Sequence, residues 1–166
     1  MQEAAQARMA ISNDLRRALS EQQLVVYYQP IVDMADGEIV KAEALLRWAH
    51  PENGLVSPDD FIPIAEHTGM IVSIGNWVFE QALHQAGLWR TMRPDFTVSV
   101  NVSPVQFYRS NEAYCRKWLN NCHSVSRLAG TEAAVSLEIT EGLMLTADDN
   151  VMIKLAAFQN AGIKIS

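Results

Sequence analysis

The sequence has few cysteines, no excess of positive charge and no long apolar run, and each scarcity excludes a class of protein. Its two cysteines, Cys115 and Cys122, lie seven residues apart in a predicted helix. Because this is not metal-ligand spacing, reduced thiols are favoured over a disulfide scaffold or a zinc site. The net charge of −6 argues against a nucleic-acid polymer as partner, although local cations can still hold a small anion.

No apolar run is long enough to span a membrane, and the N-terminus lacks a signal-peptide pattern. We therefore expect a soluble, cytoplasmic chain without direct membrane contact, any anchor lying in other domains. The chain has 166 residues, of which 49% are hydrophobic, and this composition is typical of a globular domain. A chain of this length can bury one substantial core.

Residue periodicity predicts an α/β fold that opens with a β-hairpin. Two β-branched and aromatic strands, at 24–32 and 39–48, flank the turn signal Asp36-Gly37. Strands and helices then alternate, which is typical of parallel strands joined by helices. Further strands are predicted at about 97–103, 133–140 and 163–166, and helices at about 2–23, 58–67, 70–92, 110–129 and 147–161.

The run from Lys41 to Trp48, KAEALLRW, contains an acid and a base within an apolar strand. Glu43 and Arg47 are four residues apart, so on a strand their side chains point to the same face. A buried charge without a partner is costly. The residues alone leave open whether the two form a structural ion pair or belong to a functional site.

Three oxygen-bearing side chains fall at the carboxyl ends of predicted strands: Glu43, Asn101 and Glu138. In a βα barrel the active site lies at these ends. Each residue alone is also consistent with a hydrogen-bonded polar group of the core. Together, carboxylates and an amide suit Mg²⁺ or Mn²⁺ rather than zinc, and a metal beside Arg47 suits a phosphodiester substrate. Gln29, at the end of the first strand, is a candidate to contact a base edge.

Glu-Ala-Leu-Leu-Arg-Trp, preceded by YYQPIVD and followed by PxxFIPxAExxGxI, closely resembles the EAL domain family. Members of that family are phosphodiesterases that open the bacterial second messenger cyclic di-GMP to linear pGpG. The resemblance covers residues 15–166, as the N-terminal part of an EAL domain. It implies a TIM-barrel-like (β/α) fold, of which about five strands are present. Residues 1–14 are then expected to be a connector helix from an upstream domain, which in this family is often a GGDEF domain.

The resemblance also implies catalytic roles for Glu43 and Glu141, and metal-ligand roles for Glu43, Asn101 and Glu138. EALLR matches the family signature, which makes Glu43 a catalytic metal ligand. NVSPVQF matches the strand that carries an asparagine ligand, Asn101. LEITEG matches the motif in which Glu138 is a ligand and Glu141 braces a catalytic loop. The implied cofactor is Mg²⁺ or Mn²⁺.

Three further residues match the family's substrate contacts. By this resemblance, Arg47 contacts the phosphate of cyclic di-GMP and Gln29 contacts the cyclic dinucleotide. Ile64, which follows the FIP segment, would lie along a guanine.

The family's paired-aspartate motif and later ligands would follow Ser166. We therefore expect this chain alone to be inactive, and to form a homodimer or an edge-paired or swapped oligomer. Two alternatives to a competent phosphodiesterase are considered. One is a degenerate EAL module that binds cyclic di-GMP or a protein partner without hydrolysis. The other is an unrelated α/β domain with an accidental EALLR.

Overall fold

A computed structural model describes residues 2–110, 113, 115–121, 134–140, 143 and 147–166 of the chain. Its helices and strands follow the predicted order, a hairpin and then βα units. In chain order they are α1 (Gln2–Ala18), β1 (Leu24–Val32), β2 (Ile39–His50), β3 (Gly54–Val56), α2 (Pro58–Thr68), α3 (Ile71–Arg90), β4 (Thr97–Asn101), α4 (Pro104–Arg109), β5 (Val135–Glu138) and α5 (Asp149–Asn160). None of the described helices combines the length and apolarity needed to cross a membrane.

Within the described residues, five strands form one open sheet. Its order is β1-β2-β4-β5. The short strand β3 pairs with the last residues of β2, from Trp48 to His50, whereas β4 pairs with the earlier residues, from Lys41 to Ala44. β1 and β2 are antiparallel, whereas β2, β4 and β5 run parallel. The helices between the parallel strands supply the crossovers that such pairing needs. The predicted mixed sheet that opens with an antiparallel hairpin is confirmed.

The fifth strand of this sheet is not the one that the periodicity predicts. A strand is expected at 163–166, but there the structure has an isolated parallel bridge between Ile165 and Leu137. The additional strand is β3, where the chain turns at Gly54, with φ of 67°, and returns along β2. The ring of His50 stabilises this turn, because its Nδ1 accepts hydrogen bonds of 3.1 Å from two backbone amides of the turn.

Helix α1 ends at Ala18, although the periodicity predicts a helix to about residue 23. The chain leaves the helix because Gln22 adopts a left-handed conformation, with φ of 56°. The next residue, Gln23, accepts a 3.1 Å hydrogen bond at Oε1 from Trp48 Nε1. This contact ties the turn to β2 and directs the chain into β1.

After β4 the chain also differs from the prediction. β4 ends at Asn101 rather than residue 103, because Ser103 caps the short, unpredicted helix α4. Of the helix expected at about 110–129, the described residues 113 and 115–121 are helical. The rest of that range lies outside the described residues.

The core lies between the sheet and the helices that cover one of its faces. Ala42, Ala44 and Trp48 of β2 are at most 3% exposed on that side. Phe79 of α3 stacks on Trp118 with ring centroids 3.9 Å apart. Truncating a buried aromatic side chain of this kind typically costs about 3–5 kcal/mol. The alternation of β2 therefore leaves its odd-numbered side chains on the opposite face, where the polar residues lie.

Candidate functional site

Strands β2, β4 and β5 bring polar side chains onto one face of the sheet. Asn101 and Glu138 are at the predicted carboxyl ends of β4 and β5, but Glu43 lies within β2, which continues to His50 because its last residues pair with β3. The strand register pairs Glu43 with Gln29 of β1 and with Ser99 of β4. Asn101, two residues beyond Ser99, pairs with Glu138 of β5. Because paired residues and residues two apart share a face, these side chains lie on the face opposite to that of the buried Ala42 and Ala44.

A short hydrogen bond joins two of the predicted metal ligands. Asn101 Nδ2 donates to Glu43 Oε1 at 2.6 Å. The third ligand candidate, Glu138, is held beside them because its backbone carbonyl accepts a 2.9 Å hydrogen bond from Val102 N. This arrangement leaves Asn101 Oδ1 and carboxylate oxygens of both glutamates available to a cation.

Arg47 lies on the same face of β2 as Glu43 and is half-buried. It does not form an ion pair with Glu43, so the structural-pair interpretation of the two residues is wrong. Its Nη1 donates to the Leu46 carbonyl at 2.8 Å, and its Cζ lies 5.9 Å from the centroid of the Tyr27 ring. None of the described carboxylates forms an ion pair with this guanidinium. Its positive charge is therefore available to bind an anionic ligand.

A cleft of about 570 Å³ opens beside these strand ends. Arg47, Asn101 and Glu138 line its strand side. Glu43 is not part of the described lining and connects to the cleft through its hydrogen bond to Asn101. Small-molecule sites have volumes of about 300–1,000 Å³. The cleft is therefore of a size that suits a small-molecule ligand.

Helix α2 forms part of the cleft wall, through residues that the sequence reasoning did not select. Pro58, Ile62 and Glu66 line the cleft, and Ile64 is not among its described lining residues. The spacing of four between successive lining residues places them on one stripe of the helix. That spacing is the signal that could have identified Ile62 and Glu66. The contact predicted for Ile64 stays a prediction.

Glu66 joins α2 to the end of β4. Ser103 Oγ donates to Glu66 Oε1 at 2.7 Å and accepts from Val105 N at 3.2 Å. Ser103 N in turn donates to Gln106 Oε1 at 3.0 Å, which completes a capping box at the start of α4. Because Ser103 follows Asn101 by two residues, this network holds the end of the strand that carries Asn101.

Two other predicted site residues lie outside the described lining of the cleft. Gln29 is exposed on β1, directly opposite Glu43 in the register. Its contact with a dinucleotide stays a prediction. Glu141 lies outside the described residues, so its predicted bracing role also stays a prediction.

One protein family matches the sequence around this site. The model of the EAL domain family matches residues 12–166, which is nearly the whole chain. The chain belongs to the EAL family. The interpretation of EALLR as an accidental run in an unrelated α/β domain is therefore wrong.

Curated relatives of this EAL chain include enzymes named for cyclic di-GMP. The bifunctional diguanylate cyclase/cyclic di-GMP phosphodiesterase MucR of Pseudomonas aeruginosa is 36% identical over 98% of the chain and 23% of its own length. The cyclic di-GMP phosphodiesterase PdeR of Escherichia coli is 32% identical over 93% of the chain and 22% of its own length. The chain thus spans less than a quarter of these relatives.

The fold of this chain also resembles those of solved EAL structures. The PaMucR phosphodiesterase, solved as a c-di-GMP complex, matches with a TM-score of 0.79 and 35% identity. The match covers 94% of this chain and 62% of that chain. The open sheet described above is therefore part of the TIM-barrel-like EAL fold, as the sequence predicts.

The donor atoms at the EAL site fit a divalent cation. Glu43 and Glu138 offer carboxylate oxygens and Asn101 an amide oxygen, the ligands that Mg²⁺ and Mn²⁺ prefer. Among the described residues, no group of three His, Cys, Asp or Glu side chains is placed to hold a metal. A cation at these two glutamates would therefore have Asn101 Oδ1 as its third protein donor among the described residues. The site also attracts a cation of the chain itself, since Lys41 Nζ lies 3.6 Å from Glu138 Oε1.

Proposed function

We propose that the chain contributes the substrate and metal contacts of a phosphodiesterase that hydrolyses cyclic di-GMP to linear pGpG. One observation carries the proposal. The oxygen-bearing side chains of Glu43, Asn101 and Glu138 lie on one face of neighbouring strands. Asn101 and Glu138 line one cleft together with Arg47, whose guanidinium no described carboxylate neutralises. The names of MucR, PdeR and the PaMucR complex support cyclic di-GMP as the substrate.

In this proposal Glu43, Asn101 and Glu138 hold Mg²⁺ or Mn²⁺. When bound, such an ion would supply the polarisation of a phosphoryl oxygen and the activation of water that the hydrolysis requires. Arg47 binds oxygens of the same phosphate, since its planar guanidinium can donate two parallel hydrogen bonds.

The remaining predicted residues act on the base and the loop in this proposal. Gln29 donates and accepts hydrogen bonds at a guanine edge through its side-chain amide. Ile64 is the predicted guanine contact, and Ile62, which lines the cleft, is proposed for the same apolar role. Glu141 braces the loop that carries later catalytic groups.

The second candidate is a degenerate EAL module that binds cyclic di-GMP or a protein partner without hydrolysing the dinucleotide. The ion pair between Lys41 and Glu138 favours it, because an ammonium group already satisfies one predicted metal ligand. The two candidates share the phosphate contact of Arg47. They differ in whether Glu43 and Glu138 hold a catalytic metal.

Product analysis separates the two candidates. The purified full-length protein is incubated with cyclic di-GMP and Mg²⁺ or Mn²⁺. The nucleotides are then separated by chromatography and identified by mass spectrometry. Formation of pGpG supports the phosphodiesterase. Saturable binding of cyclic di-GMP without pGpG supports the degenerate module as a dinucleotide sensor. Absence of both binding and turnover contradicts the phosphodiesterase and the sensor, and leaves a module that binds a protein partner.

Replacing Arg47 with lysine is expected to weaken the binding of cyclic di-GMP about ten- to hundredfold. The positive charge remains, but the two parallel hydrogen bonds to a phosphate are lost, and hydrogen bonds to charged groups contribute about 1.5–3 kcal/mol. The dissociation constant is measured by isothermal titration calorimetry in EDTA, so that no metal-dependent hydrolysis occurs.

Arg17→Lys is the matched control for this measurement. Arg17 pairs with Asp14 at 2.9 Å on α1, away from the cleft, and its side chain is mostly exposed. The control should bind cyclic di-GMP as tightly as the wild type. A dissociation constant for Arg47→Lys within about threefold of the wild-type value would contradict a phosphate contact by Arg47.

We also propose that the reaction takes place in the cytoplasm and that the chain associates through strand edges. Among the described strands, β1 pairs with β2 alone, so one row of its backbone groups has no strand partner. Such edges pair readily with other chains. Sedimentation velocity at micromolar concentration should therefore show dimers or larger species, and a single monomeric species would contradict the association.

A further inference from the structure

Lys41 is a charged residue of the site for which the proposed reaction has no role. It lies on β2 two residues before Glu43, so both side chains are on the polar face of the sheet. Its ammonium reaches across β4 to Glu138 of β5, with Nζ 3.6 Å from Oε1. The pair therefore bridges two strands that are not themselves neighbours.

We infer that Lys41 is a built-in counter-ion that competes with the divalent metal for Glu138, and this rests on the proposed metal site. Glu43, Glu138 and the cleft-wall Glu66 bring three negative charges to the site, and Lys41 and Arg47 bring two positive charges. The two cations thus offset most of the negative charge before a metal binds. A metal ion that takes Glu138 as a ligand must displace the ammonium or remain beside a like charge, and both lower its affinity.

The geometry of the pair indicates an ammonium that can yield its place. A tight charge-assisted contact between nitrogen and oxygen is about 2.7–2.9 Å long, and Lys117 forms such a contact with Glu80 at 2.7 Å. The contact of Lys41 is longer, at 3.6 Å, and its side chain is 35% exposed. Because the lysine stem is flexible, the ammonium can move into solvent when another cation takes the carboxylate.

It follows that Lys41, which is not a metal ligand, lowers the affinity of the site for the metal. Lys41 holds the Glu138 carboxylate in place while no metal is bound, and it raises the metal concentration at which the site fills. If the ion pair served only to stabilise the fold, its removal would lower the free energy of unfolding. The metal affinity would then be unchanged or reduced.

The test is the affinity of Lys41→Met for Mn²⁺. Free Mn²⁺ is measured by electron paramagnetic resonance during titration of the purified protein, and the Glu43→Gln variant defines binding at any other site. We expect Lys41→Met to bind Mn²⁺ about three- to fivefold more tightly than the wild type, in line with the modest strength of partly exposed ion pairs. Lys41→Arg, which keeps the charge, should stay within about twofold of the wild type.

Lys117→Met is the matched control, because it removes the same charge and one ion pair from a position on another surface. Its Mn²⁺ affinity should equal that of the wild type. An unchanged or weaker affinity of Lys41→Met would overturn the inference while leaving the metal site intact. Absence of saturable Mn²⁺ binding in the wild type would overturn the proposed metal site, and the inference with it.

Discussion

Replacing Glu43 with glutamine is expected to lower the turnover of cyclic di-GMP by at least about 100-fold. Even the groups that only support metal ligands cost about 10–100-fold when mutated, and Glu43 is proposed as a ligand itself. Glutamine has nearly the same shape and can still accept the hydrogen bond that Asn101 donates at 2.6 Å. The change therefore removes the negative charge at the metal while it preserves the local packing. Turnover is measured as pGpG formed by the full-length protein.

The control for this variant is Glu80→Gln. Glu80 lies on α3 and pairs with Lys117 at 2.7 Å, and it is not among the described residues that line the cleft. It should retain the turnover of the wild type. Thermal unfolding should show that both variants fold. If Glu43→Gln kept more than about a tenth of the wild-type rate, Glu43 would not be a metal ligand.

Replacing Gly75 with alanine is expected to lower the free energy of unfolding by about 2–4 kcal/mol, since an overpacked core and a broken buried hydrogen bond each cost about 1–3 kcal/mol. A Cβ at this position would overlap Nε2 of Gln106 and lie 2.6 Å from its Cδ. Gln106 is 2% exposed and its Oε1 accepts the capping hydrogen bond from Ser103 N, so it cannot move without breaking that bond. The free energy is measured by denaturant unfolding.

Whether Gly75→Ala lowers or raises the free energy of unfolding tests the close approach of α3 to α4. In an open helix, alanine is more stable than glycine by up to about 1 kcal/mol, so a stabilised Gly75→Ala variant would contradict the close approach of α3 to α4. The control is the combination with Gln106→Ala, which removes the obstacle. We expect the double variant to lose at least about 1 kcal/mol less than the sum of the two single losses.

The position of the ligand candidates could be predicted because it depends on local patterns. Alternation along β2 and β4 places Glu43 and Asn101 on one face, and the βα order brings their carboxyl ends to one edge. The hairpin is signalled in the same local way, by Asp36-Gly37, where Gly37 adopts φ of 76°. In each case the signal in the sequence is local, although the pairing of β2 with β4 is needed to bring Asn101 and Glu43 into contact.

The parts that could not be predicted depend on contacts between residues far apart in sequence. The hydrogen bond from Ser103 to Glu66 and the ion pair from Lys41 to Glu138 both join separate elements. Periodicity does not specify which long side chain reaches which partner. The strand β3 was missed for another reason, because three residues are too few to show a period of two.

Helix α4 is an intermediate case, since a local signal for it exists. Ser103-Pro104-Val105-Gln106 has a capping residue, a proline at the first helical position and a glutamine at the third. The strand pattern of β4 runs up to this motif and obscures it. The assignment of the cleft wall to Ile62 and Glu66 required the orientation of α2 against the sheet, which its own sequence does not specify.

The measurement that tests the central claim most directly is the turnover of cyclic di-GMP by the full-length protein as a function of free Mn²⁺. The account predicts that pGpG forms at a rate that rises with Mn²⁺ and saturates, and that EDTA stops it. Formation of pGpG at an undiminished rate in EDTA would contradict a metal site built on Glu43, Asn101 and Glu138. Binding of cyclic di-GMP without pGpG at any Mn²⁺ concentration would show a module that senses the dinucleotide instead.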